Sequence, residues 1–121
     1  MVYISLGSNL GNRINNLRTA AAFLIQSYLR NTTCSIVLET EAILPKNAPI
    51  EWNKPFLNMI ISGETELSPH ELLAALKSIE TEMGRPELYE LWSPRIIDLD
   101  ILLWDELEIN SPALKIPHPE L

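Results

Sequence analysis

Between Ile96 and Leu103 the chain reads Ile-Ile-Asp-Leu-Asp-Ile-Leu-Leu, an apolar run interrupted by two carboxylates two positions apart. Successive side chains of a strand point to opposite faces. A strand here puts Asp98 and Asp100 on one face, beside Ile96 and Leu102, and turns Ile97, Leu99, Ile101 and Leu103 toward a core. Asp is disfavoured in strands, and like charges on one face repel. Either the strand lies at an edge with a solvated acidic face, or a divalent cation offsets the repulsion. Magnesium suits one or two carboxylates, with substrate phosphates completing its shell. Pro94-Arg95 just upstream places a partner for phosphate near the same strand end.

The rest of the chain reads as one domain, residues 1–121. Its 121 residues are 46% hydrophobic and 21% charged, ordinary values for a globular protein. A net charge of −7 with no basic stripe argues against a nucleic-acid surface. No apolar run is long enough to span a bilayer, and residues 1–10 read as strand and turn rather than a secretory leader. A cytoplasmic protein without membrane contact is expected. Cys34 is the only cysteine, so no disulfide framework exists; its apolar-alternating surroundings predict a core position.

In order, Val2–Leu6 predicts a strand running into Gly7-Ser8-Asn9-Leu10-Gly11-Asn12, which is turn chemistry. This stretch has the look of a phosphate loop but lacks the Gly-Lys-Ser/Thr of a P-loop. Asn12 suits a helix N-cap, and Ile14, Leu17, Ala21, Leu24 and Tyr28, with Ile25 alongside, predict a core-facing helix to about Leu29. A second strand is expected over Thr33–Glu39, then a proline-bearing loop over 40–55. Phe56–Thr65 predicts a third strand with Phe56, Asn58, Ile60 and Ser62 on one face. Asn58, polar among apolar neighbours, either satisfies backbone or reads a ligand.

Ser68-Pro69-His70-Glu71 is a capping box with proline in the first turn, and Leu72, Leu76, Ile79 and Met83 form the stripe of a second helix ended by Gly84. Glu80, in the last turn, opposes the helix dipole, which points to a salt bridge with Arg85 or a ligand contact. Residues 85–95 mix arginine with large aromatics, as a loop that closes over something would. His118, between Pro117 and Pro119, is stiffly held. The order β-α-β-β-α-β predicts an α+β, ferredoxin-like sandwich: an antiparallel sheet with two helices on one face.

On these residues the chain resembles the 6-hydroxymethyl-7,8-dihydropterin pyrophosphokinases, enzymes of folate biosynthesis. Gly7-Ser8-Asn9-Leu10-Gly11, Phe56-Leu57-Asn58, Glu80 with Gly84-Arg85, and Trp92-Ser93-Pro94-Arg95 leading to Asp98-Leu99-Asp100, with Pro117-His118 downstream, carry the likeness in order. The resemblance implies transfer of pyrophosphate from ATP to 6-hydroxymethyl-7,8-dihydropterin, with release of AMP. It implies that Asp98 and Asp100 hold two Mg2+ ions, and that Arg85 and Arg95 stabilise the charge being transferred. Glu80, Ile101 and His118 join Arg85 and Arg95 in contacting ATP. Thr40, Phe56, Asn58 and Trp92 meet the pterin: Phe56 by stacking, Asn58 through the ring edge, Trp92 by closing the site.

The chain departs from the family pattern at Glu87 and Leu91, where arginine is common, and at Ser93, where glycine is usual. It stops at Leu121, before the family's second stacking phenylalanine, so the domain is expected to be incomplete at its C-terminus. A following dihydropteroate synthase domain is one expectation. The other functions considered are a non-catalytic ferredoxin-like ligand-binding module and a different magnesium-dependent phosphotransferase built on the Asp98/Asp100 pair.

Overall fold

Both helices begin where their capping residues stand. Asn12 Oδ1 accepts from Asn15 N at 3.1 Å and opens α1 (Arg13–Ser27). Ser68 Oγ accepts from Glu71 N while Glu71 Oε1 accepts from Ser68 N, at 3.3 and 2.8 Å, and opens α2 (Pro69–Glu82). The Ser68 backbone N–H first, and the Ser68 hydroxyl next, hold the Glu71 carboxyl below the usual glutamate range by hydrogen bonding to its charged form. The computed structural model describes residues 1–42, 44, 46–84 and 94–119.

The strands are β1 (Val2–Ser8), β2 (Arg30–Cys34), β3 (Leu38–Thr40), β4 (Phe56–Glu64), β5 (Asp98–Trp104), β6 (Ile109–Asn110) and β7 (Lys115–Ile116). The main sheet runs β2-β4-β1-β5, with β3 also paired to β4; β6 and β7 form a separate hairpin. Every pairing is antiparallel. Each helix bridges two strands with a third between them: α1 links β1 to β2 around β4, and α2 links β4 to β5 around β1. This is the expected ferredoxin-like arrangement. One sheet face, carrying Val2, Ile4, Leu6, Ile61, Leu99 and Ile101, packs on Leu17, Ala20 and Leu24 of α1 and on Leu72, Leu76 and Ile79 of α2. Among the described residues no helix is long and apolar enough to cross a membrane.

Four local expectations need correction. The strand over Thr33–Glu39 is two strands, because Ser35 takes over the ladder itself: its N–H donates to Ile60 O at 2.8 Å and its Oγ accepts from Ile60 N at 2.8 Å. Cys34 is exposed on that edge rather than in the core. On α1 the buried stripe is Leu17, Ala20 and Leu24, while Ile14 and Ile25 are 44% and 41% exposed. The sheet lies against a narrower arc of the helix than apolar spacing suggests. Finally, register shifts between Tyr3 and Ile4, which pair with Leu103 and Ile101 and leave Leu102 as the extra residue. Beyond that bulge the alternation reverses: Leu103 leaves the core face, and Trp104 packs against the core.

Candidate active site

The sheet face away from the helices carries the polar residues, and pairing register sets their order. Leu38 opposes Asn58, Asn58 opposes Gly7, and Gly7 opposes Asp98, so one row crosses β3, β4, β1 and β5. On either side of it, Thr40 opposes Phe56 and Ser5 opposes Asp100. Asn58 Nδ2 donates to Thr40 Oγ1 at 2.6 Å, which orients the amide across the β3–β4 pair. Phe56 and Asn58 are both half-buried.

Gly7 keeps this row open. A Cβ there would lie 3.1 Å from Asn58 Oδ1 and 3.3 Å from Phe56 Cδ1. Its use is close approach, not unusual backbone, whereas Gly11 has φ of +74° and serves the turn into α1. Between them Asn9 is 3% exposed and bonded to backbone on both sides. Its side chain and its own N–H are committed to the protein, which fixes this strand-to-helix connection against the Lys54 and Arg95 backbones.

Asp98 and Asp100 share the open face of β5. Arg95 Nη1 donates to Asp98 Oδ1 at 3.1 Å, and His118 Nε2 lies 3.9 Å from Asp100 Oδ1. The backbone holds His118 as well: its N–H donates to Leu102 O, at the bulge, at 2.9 Å. Burial, and next the charge of Asp98, push the Asp100 carboxyl above the usual aspartate range; His118 and Lys77 pull the other way. This pair therefore carries an unfavourable charge that a cation would relieve, and its oxygen donors suit a hard ion. Among the described residues no group of three or more His, Cys, Asp or Glu converges as a ligand set.

Glu80 and Ile101 lie on the other side of the sheet. Ile101 is 3% exposed and points into the core. Glu80 is 1% exposed, and its Oε2 accepts from Leu99 N at 2.8 Å while Oε1 lies 3.5 Å from Lys77 Nζ. Leu99 stands between the two aspartates on the edge strand, so Glu80 pins the backbone that carries both. Arg85 and Trp92, with most of the 85–95 loop, lie outside the described residues.

Sequence reasoning singled out Thr40, Phe56, Asn58, Arg95, Asp98, Asp100 and His118, which the structure brings to one face or its rim. It missed Gly7 and Asn9 as site-shaping residues. For Gly7 a signal existed: a glycine inside a strand often marks close backbone approach.

The family model for 7,8-dihydro-6-hydroxymethylpterin-pyrophosphokinase matches residues 3–121. The chain is 42% identical over 120 residues to the folate synthesis bifunctional protein of Chlamydia caviae, which covers 99% of this chain and 27% of that protein. It is 40% identical to the 2-amino-4-hydroxy-6-hydroxymethyldihydropteridine pyrophosphokinase of Aquifex aeolicus, covering 99% of this chain and 71% of that enzyme. The Bacillus subtilis pyrophosphokinase is 39% identical, with 100% of this chain and 70% of that enzyme covered. The chain thus spans about a quarter of the bifunctional relatives' length and about seven-tenths of the single-function ones.

Proposed function

The chain belongs to the 7,8-dihydro-6-hydroxymethylpterin-pyrophosphokinase family, and on that premise we propose that it transfers pyrophosphate from ATP to 6-hydroxymethyl-7,8-dihydropterin. AMP is the leaving group, and the step belongs to folate biosynthesis. The observation that carries the proposal is the row across the open face, where Asn58 lies in register with Gly7 and Asp98, with Thr40 and Phe56 on one side of the row and Asp100 on the other.

The reaction is attack of the pterin hydroxymethyl oxygen on the β-phosphorus of ATP. Such transfers need positioning and charge stabilisation more than a covalent nucleophile. Asn58 offers an amide to the pterin edge, its orientation set by Thr40. Phe56 offers its ring, and the missing Gly7 side chain leaves room for a flat heterocycle against the sheet. Asp98 and Asp100 would hold Mg2+, two ions in this proposal, which when bound neutralises phosphate charge and favours ionisation of the attacking hydroxyl. Arg95 exchanges its contact with Asp98 for the phosphates. Arg85 joins it and Trp92 closes over the pterin, roles that rest on the Gly84-Arg85 and Trp-x-Pro-Arg-x-x-Asp-x-Asp matches respectively. His118 contacts the nucleotide from beside Asp100. Ile101, whose side chain is in the core, contributes through its backbone at the sheet edge, and Glu80 acts through the strand it pins. A cytoplasmic setting completes the reading.

Calorimetric titration tests it: a non-hydrolysable ATP analogue with Mg2+ first, then hydroxymethyldihydropterin, followed by an AMP-release assay. Magnesium-dependent binding of both and pterin-dependent AMP release are expected. Ligand binding that survives Asp98→Ala would instead indicate a non-catalytic binding module. Nucleotide turnover without pterin dependence would indicate another phosphotransferase.

A further inference from the structure

Asn9 joins two segments that the proposed reaction assigns to different ligands. Its Oδ1 accepts from Arg95 N at 2.7 Å and its backbone N–H donates to Arg95 O at 3.0 Å. Its Nδ2 donates to Lys54 O at 3.1 Å. Arg95 leads into Asp98 and Asp100, the phosphate side; Lys54 leads through Pro55 into Phe56 and Asn58, the pterin side. Arg13 Nη1, just inside α1, donates to Pro55 O at 3.0 Å, so the connection between β1 and α1 grips consecutive carbonyls of the second segment.

We infer that Asn9 is a positioning residue that couples the pterin side of the site to the phosphate side, an inference that rests on the reaction proposed above. The amide is suited to this because one planar group presents an acceptor and a donor in opposite directions. Asp in its place would keep the acceptor for Arg95 but set a carboxylate oxygen against Lys54 O. Serine, a single rotating hydroxyl on a shorter stem, does not span both. Being 3% exposed, Asn9 has no water to substitute for either partner. Order imposed on one segment by its ligand therefore lowers the cost of ordering the other, which is a coupling between binding sites.

Two variants and a control test this. Amide hydrogen exchange on the unliganded chain should lose at least tenfold protection in Asn9→Ala at both Arg95 and the 52–54 turn, whose Trp52, Asn53 and Lys54 amides donate to the Pro49, Ile50 and Trp52 carbonyls. In Asn9→Asp the loss should fall chiefly on the 52–54 turn. With the Mg2+-bound ATP analogue and the pterin, the factor by which each ligand improves the other's binding should fall at least fivefold in both variants. Leu24→Ala, a core variant of α1, should leave that factor at the parent value and so separates coupling from lost stability. Exchange that rises at one end only in Asn9→Ala, a parent chain whose ligands bind independently, or variants whose factor matches Leu24→Ala would each overturn the inference. If the parent chain binds neither ligand, the pyrophosphokinase reading fails instead, and the exchange experiment alone decides whether Asn9 joins the two segments.

Discussion

Replacing Asp100 by asparagine is expected to stabilise the metal-free chain while removing its response to magnesium. Two positions apart on one strand face, the two carboxylates are separated by roughly 6.6 Å along the strand. Coulomb repulsion at that distance is about 0.6 kcal/mol in water and about 2.5 kcal/mol at an effective dielectric of 20. The Asp98 and Asp100 side chains are 27% and 42% exposed, so solvent screening puts the gain near the lower end. About 0.5–1 kcal/mol is the expected size, a few degrees in melting temperature for a domain of this length.

The sign follows from the protons. Burial and Asp98 raise the folded-state pKa of Asp100, so the folded chain binds more protons than the unfolded one across the interval between the two values. Stability contributed by this group falls as pH rises through that interval, and the penalty is complete above it. The advantage of the Asp100→Asn chain should therefore be full at pH 7 and vanish below about pH 4, the unfolded aspartate range. Thermal melts from pH 3 to 8 in chelator read this directly. Adding millimolar Mg2+ should raise the melting point of the parent and not of the variant, since a ligand of the folded state stabilises in proportion to its occupancy. An Asp100→Asn chain that melts at or below the parent at pH 7, or that keeps its advantage at pH 3, would refute the reasoning that the pair is held in mutual repulsion.

Three further outcomes follow from named contacts. Gly7→Ala should weaken pterin binding at least tenfold and leave the nucleotide analogue's affinity unchanged, because the new Cβ meets Asn58 and Phe56 at 3.1 and 3.3 Å; calorimetry with each ligand checks it. Glu80→Ala should cost about 3 kcal/mol in denaturant unfolding, since it leaves the Leu99 N–H without its carboxylate and opens a buried cavity. Glu80→Gln, which keeps an acceptor oxygen, should recover most of that loss. Ser68→Ala should lower stability by about 1 kcal/mol through loss of the cap and leave both ligand affinities unchanged.

Much of the architecture was legible along the chain because it depends on local chemistry. Asn12 and Ser68 announced the helix starts, and alternation in Ile96–Leu103 announced a one-faced strand. Where the chain was misread, a distant contact decided. Ser35 interrupts its strand because of Ile60, across the sheet. The bulge at Leu102 reflects how β5 registers on β1, and it reverses the alternation that a flat strand would continue. Glu80 looked anomalous at the end of α2; the Leu99 amide, on another element, is what it serves.

Periodicity, capping and the Asp-x-Asp spacing are properties of neighbouring residues, and by themselves they determined the helices, the principal strands and the candidate metal ligands. Which residues share the open face, how closely Asn58 approaches Gly7, and that Asn9 touches both Lys54 and Arg95 were decided only by tertiary structure. These are relations between segments brought together by strand register, and register is set by burying one face of the whole sheet at once, not by any stretch of sequence alone.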